Sequence, residues 1–309
     1  MLKDQGNTWQ ERLLQPIQQA FLLGKLPHAL LFHTPKAWPM EAIFDQIGQL
    51  LFDQDKTVTS NTHPDVVKLE CDGGQIKLDA LKSALENVYL TSYSAKAKLV
   101  IITPLEALNL SAANALLKTL EEPPENTYFL MCAHQLNWVA STLLSRVQKF
   151  TLQLTVQDKI SYLKNHYQMD DASCQKALLI SRGMLAIIDQ IKSDRSFWYL
   201  RRDLCMAIAG KVHPLVVSTD LAQRYEDSLY WLMSLLIDAY YLALGVQQNY
   251  LANSDQLAVL QLLCNRHDLQ TLYYYYQRLL ALKDYQGKYI NINKQLALEA
   301  VLLQLAQSK

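Results

Sequence analysis

The stretch Ser111–Pro124, SAANALLKTLEEPP, decides how this chain is read. Leu110, Ala113, Leu116, Leu117 and Leu120 recur at helical spacing and give one apolar stripe. Asn109 and Ser111 are both candidates to cap the start of that helix. Pro123 and Pro124 cannot donate backbone hydrogen bonds, and Pro123 pushes Glu122 out of the helical region, so the helix stops there. Upstream lies Lys98–Ile102, a run rich in β-branched residues; downstream lies Tyr128–Ala133, a second apolar run. Strand, helix, strand in this order predicts a βαβ unit with a parallel sheet.

A chain of 309 residues is long for one domain and suggests two or three. Half of its residues are hydrophobic and 19% are charged, enough for a core without metal or disulfide. Lys plus Arg equals Asp plus Glu, at 29 each, which argues against a protein whose main task is gripping nucleic acid by its phosphates. The five cysteines, at 71, 132, 174, 205 and 264, are scattered and form no CxxC pair. No disulfide framework is expected, and a reducing cytoplasm fits. Neither a signal peptide nor a membrane-spanning helix is expected.

NALLKTLEEPP at Asn114–Pro124, followed after a strand by LLSR at Leu143–Arg146, resembles the AAA+ clamp-loader family of bacterial DNA polymerase III. Within it, the delta-prime type is the nearest likeness. The match is densest from His63 to Phe150 and traceable over the whole chain. It implies an α/β P-loop-like AAA+ domain over 1–155, with a parallel sheet flanked by helices. A small helical lid over 156–195 and an all-α collar over 196–309, through which subunits assemble, follow.

The phosphate loop is where the chain departs from its family. A Walker A loop needs glycines whose N–H groups curl round phosphate, a lysine, and a hydroxyl for Mg²⁺. By register from His28–Ala29, the glycine positions hold Thr34, Ala37 and Pro39, the lysine position is Met40 and the hydroxyl position is Glu41. Lys36 comes too early to substitute. The Walker B acids that would hold Mg²⁺ fall on Thr103 and Pro104, and Glu106, two residues late, reads as a solvated turn residue. The polar sensor falls at Ala133 or His134, and the lid arginine of the family falls near Ala186. No productive ATP binding and no intrinsic ATPase activity are expected. The family's four-cysteine zinc module is replaced by a cysteine-free stretch from Phe52 to Thr62, and His63 and Cys71 alone are too few, so no zinc is expected.

Arg146 is the residue expected to act. The family carries an arginine here, after a serine, that reaches ATP bound by the next subunit; this chain has Ser145, Arg146 and Val147 in place of Ser-Arg-Cys. A guanidinium stays charged and forks onto phosphate oxygens. Spacing alone also allows Arg146 to be a plain helix C-cap. The resemblance therefore implies a non-hydrolysing subunit of the DNA polymerase III holoenzyme that helps load the sliding clamp onto primed DNA in replication. Its partners would be gamma/tau-like motor subunits and a delta subunit in a hetero-oligomeric ring, with clamp and DNA met through the complex and no membrane contact. The alternatives are an autonomous AAA+ motor ATPase and a free-standing DNA-binding protein.

Helical patterns are expected from Thr8 to Leu23, Ile76 to Val88, in pieces from Val156 to Gln190, and then over Trp198–Ala209, Tyr225–Leu244, Ser254–Cys264, Thr271–Asp284 and Asn293–Ala306. Ala95–Lys98 reads as a basic turn, and His213–Pro214 and Gln247–Asn249 read as loops. Four consecutive tyrosines, Tyr273–Tyr276, could stack bases, but one helix face cannot hold all four, and packing is the better expectation. Leu296, Leu298, Val301, Leu302 and Leu305 mark the last helix as buried or subunit-facing.

Overall fold

The computed structural model describes residues 8–52, 63–71, 74–89, 96–287 and 292–307. The stretch in place of a zinc module, apart from Phe52, lies outside them, as does Ala95 of the expected basic turn. The chain divides into two compact units at Tyr162/Leu163.

The first unit runs α1 (Trp9–Leu22), β1 (Ala29–His33), α2 (Glu41–Leu51), β2 (Val66–Glu70), α3 (Leu78–Tyr89), β3 (Lys98–Thr103), α4 (Leu110–Glu121), β4 (Thr127–Ala133), α5 (Ser141–Leu144) and β5 (Gln148–Thr151). The five strands form one sheet in the order β2-β3-β4-β1-β5, every neighbouring pair parallel. The expected βαβ unit is β3-α4-β4, with Ile102 level with Met131. Strands β1, β3 and β4 are buried along nearly their whole length, as a sheet covered on both faces requires.

Asn109 caps α4 by accepting from the Ala112 N–H; Ser111 is inside the helix. The helix runs to Glu121, just before the prolines. Ala112, Ala113, Leu116 and Leu120 make its buried face, together with Thr119. Leu110, expected in that stripe, is 75% exposed: at the first helical position it precedes the turn that faces the sheet. Thr8 and Glu11 form a reciprocal capping box at the start of α1, and Gly24 (φ +64°) ends it in the left-handed region.

The helix α6 (Val156–Tyr167) carries the division. The second unit continues with α7 (Asp171–Ile180), α8 (Leu185–Ser193), α9 (Arg195–Ile208), α10 (Pro214–Gln223), α11 (Tyr225–Ala243), α12 (Leu257–Arg266), α13 (Leu269–Gly287) and α14 (Lys294–Ala306). Where a loop is expected at His213–Pro214, a helix begins: His213 caps it and Pro214 fills its first turn, the position where a preset φ and a missing N–H cost nothing. Leu298, Val301, Leu302 and Leu305 of α14 are fully buried, whereas Leu296 is exposed. Of the four tyrosines, Tyr273 and Tyr274 are exposed and Tyr275 packs on the core, with its ring against His267. Among the described residues no helix is long and apolar enough to cross a membrane.

Candidate functional site

In open parallel sheets, ligands gather at the carboxyl ends of the strands. Here β1 and β4 end side by side, His33 level with Ala133, and β3 ends next to β4. The groups brought together are Thr34, Thr103, Cys132, His134 and Glu106, and several of them bond one another or the adjoining backbone. The Thr34 N–H donates to the Ala133 carbonyl (3.0 Å). Its hydroxyl lies 3.2 Å from the Cys132 thiol and 3.4 Å from His134 Nδ1. Nδ1 is also 3.1 Å from the Thr34 carbonyl, which can only accept, so the ring carries its proton there. Thr103, at the expected first Walker B position, follows Ile102, which is level with Met131, so it ends β3 alongside Cys132. Burial pushes that thiol up to about 11, against the lowering effect of the Thr34 hydroxyl bond, so it stays protonated at neutral pH.

Glu106 is not the solvated turn residue expected. It lies in the 3-10 turn Leu105–Ala107 that Pro104 opens, and Oε1 accepts the backbone N–H groups of His134 (2.9 Å) and Gln135 (3.2 Å). Its Oε2 is buried with no hydrogen-bond partner among the described residues. The carboxylate anchors the chain leaving β4. Nothing in the sequence signals this return across 28 residues.

The loop from Thr34 to Glu41 is closed by its own side chains. Thr34, Trp38 and Met40 are buried. The Trp38 ring meets Trp9 edge-on at 5.3 Å and lies 5.0 Å from Tyr162. The Trp38 N–H is used in a turn back to the Pro35 carbonyl (3.2 Å), and Pro35 and Pro39 have no N–H to give. Ala37 takes φ +63°, the strained left-handed conformation at an expected glycine position. Met40 stands at the N-cap of α2 with no side-chain bond, and Glu41, exposed, puts a negative charge where a helix N-terminus would favour an anion. Sequence reasoning passed over Trp38. A large aromatic side chain inside a phosphate-loop register was the available signal.

Arg146 lies at the other end of the sheet. It follows α5 and precedes β5, whose first residue Gln148 is level with Leu30 near the start of β1. The strand-start and strand-end edges are on the order of 15 Å apart for five-residue strands. Arg146 Nε donates to Glu121 Oε1 at 2.7 Å, and Nη2 lies 2.5 Å from the same oxygen. Nη1 donates to the Thr142 carbonyl (3.0 Å) and the Ser145 hydroxyl (3.2 Å); Ser145 itself donates to Thr142 (2.9 Å). The guanidinium thus does cap the end of α5, and it also keeps a third of its surface in solvent. In the second unit, Ala186 lies in the first turn of α8, after Arg182 and Gly183 at positive φ.

Among the described residues no group of three or more His, Cys, Asp or Glu side chains is placed to hold a metal ion. His63 Nδ1 accepts the Asp65 N–H, and Cys71 accepts the Gly74 N–H.

Two family models match, one described as DNA polymerase III, delta subunit, over residues 9–155, the other as its C-terminal part, over residues 195–307. The DNA polymerase III subunit delta' of Yersinia pestis is 28% identical over 308 residues, spanning 91% of this chain and 89% of the relative. That of Escherichia coli K12 is 26% identical and spans 75% of each. The chain belongs to the DNA polymerase III delta-prime subunit family. Its parallel sheet flanked by helices is the α/β architecture expected of the first domain, and among the described residues only helices follow it. DNA polymerase III subunit gamma of Buchnera aphidicola (Acyrthosiphon pisum) is 23% identical, over 57% of this chain and 54% of that relative.

Proposed function

We propose that this chain works in the clamp loader of DNA polymerase III as a non-hydrolysing subunit that lends Arg146 to a nucleotide held by a neighbouring motor subunit. Clamp loading onto primed DNA is the task of the whole complex; the chain's part is a fixed body and one cation. The carrying observation is positional. Arg146 is at the strand-start edge, while the chain's own phosphate loop is at the strand-end edge, so this guanidinium cannot reach a nucleotide in its own pocket. Beyond its bonds to Glu121 and the end of α5, it is placed to serve a molecule outside the chain. A second support is chemical: the pocket edge offers a carboxylate, a protonated thiol, two prolines and a buried indole where catalysis needs a lysine, Mg²⁺ ligands and open N–H groups.

The test uses the reconstituted complex with gamma- or tau-type and delta subunits. Arg146→Ala should assemble and hydrolyse ATP at least about tenfold more slowly, since trans arginines of this kind contribute about 10³–10⁵ in rate at a single site. Unchanged hydrolysis and clamp loading would overturn the trans role. The alternative, an autonomous motor ATPase, makes the opposite forecast for the isolated chain: saturable ATP binding, lost on substitution in the 34–41 loop.

A further inference from the structure

We propose that Glu121 is a positioning residue for Arg146, holding the guanidinium in cis until a phosphate from the neighbour's nucleotide displaces it. This rests on Arg146 acting in trans. A carboxylate at the last position of α4 is unfavourable there, because the helix dipole is negative at that end. The end of α4 is nonetheless fixed: His28 Nε2 donates to the Leu120 carbonyl (3.0 Å), and the Glu122 N–H to Lys118 (3.1 Å). Glu121 is therefore presented on a rigid stub, and what it meets is Arg146. All three guanidinium nitrogens are engaged within the chain, Nε and Nη2 by Glu121 and Nη1 by Thr142 and Ser145.

A guanidinium grips a phosphate with two parallel N–H groups. The Nε/Nη2 edge that would do so is the edge Glu121 covers. Engagement is thus an exchange, one oxyanion for another, with Nη1 still tied to α5 as a pivot. The pair is half exposed, so the contact is weak enough to exchange.

The experiment measures ATP hydrolysis against ATP concentration in the reconstituted complex carrying Glu121→Gln, Glu121→Asp, Arg146→Ala, or Glu121→Gln with Arg146→Ala. Glu121→Gln should lower the half-saturating ATP concentration by about two- to five-fold, the scale of one exposed ion pair, with a smaller change in maximal rate. Glu121→Asp, which keeps the charge, should return it toward wild type. In the Arg146→Ala background the Gln substitution should shift nothing. A half-saturating concentration that is unchanged or raised by Glu121→Gln, or a shift that persists without Arg146, overturns the proposal. If Arg146→Ala slows hydrolysis while Glu121→Gln has no effect, only the role of Glu121 falls. If Arg146→Ala itself has no effect, the trans reading falls with it.

Discussion

Trp38 gives the strongest handle on the closed loop. Its side chain is 4% exposed and sits between Trp9 and Tyr162. Truncating a buried aromatic residue costs about 3–5 kcal/mol from lost transfer energy and the cavity left behind. Part of that is the two ring contacts, at about 0.5–1.5 kcal/mol each. For a unit of this size, Trp38→Ala should lower the thermal midpoint by on the order of 10 °C. Trp38→Phe behaves differently. The indole Nε1 is buried with no hydrogen-bond partner among the described residues, so removing it relieves a desolvated donor while most of the ring remains. A cost below about 1.5 kcal/mol is expected. The assay is thermal and urea unfolding of the full chain by circular dichroism, with ATP titrated calorimetrically into both variants. Neither should bind ATP, because Pro39, Met40 and Glu41 are untouched. If Trp38→Ala costs less than about 0.5 kcal/mol, the figure for an exposed site, Trp38 does not fill the loop. If it also gains ATP affinity, the chemistry of the loop was never dismantled, and the indole alone was the obstacle.

Glu106→Ala should destabilise the first unit by about 2 kcal/mol, since two backbone N–H groups at the exit of β4 lose their acceptor, and Glu106→Gln by less; thermal unfolding ranks the two. Acid stability reports on Asp158. Burial opposes its ionisation, but the Thr155 hydroxyl and N–H and the Arg12 guanidinium prevail and hold the carboxyl below its ordinary value of 3.8. Its folded pKa is depressed, so its contribution is present above the unfolded value and is lost as pH falls through the folded one. The stability gap between wild type and Asp158→Asn should therefore be level above about pH 5 and shrink below it, as urea midpoints against pH would show.

How far the sequence carried depends on where each element buries its side chains. The β3-α4-β4 core was legible because both strands are covered on two faces and α4 has a cap at Asn109 and a proline stop. The edge strands were not. β2 is half-buried up to an exposed Glu70, and β5, with the sequence QKFT, is mostly exposed, so neither carries a long unbroken run of apolar residues. The helix α10 hid behind Pro214, which breaks helices everywhere except in the first turn, and two of its apolar residues, Leu215 and Val216, face solvent. Glu106 and Trp38 were illegible for another reason. Each acts through a partner far along the chain, His134 in one case and Trp9 and Tyr162 in the other, and no local period encodes such a pairing.

Those two residues also explain why losses at the strand-end edge are mutually consistent. A metal–triphosphate site keeps charged groups unpaired until the ligand arrives, at a cost in stability. On the proposed reading, Met40, Thr103 and Pro104 stand where such a site has its lysine and acids, and no ligand offsets that cost. The edge then gains by satisfying itself: Thr34 on Cys132 and His134, Glu106 on two backbone amides, Trp38 against other rings. Each of these contacts raises the barrier to recovering nucleotide binding, because a reversed single substitution would have to break a packed arrangement as well as restore a charge. At the strand-start edge the logic runs the other way. Arg146 keeps its charge in solvent, held by one exposed carboxylate and one helix end rather than by a packed core. A guanidinium maintained on those terms, on a fold whose strand-end edge bonds largely to itself, fits the proposed role toward a partner's anion better than a structural role alone.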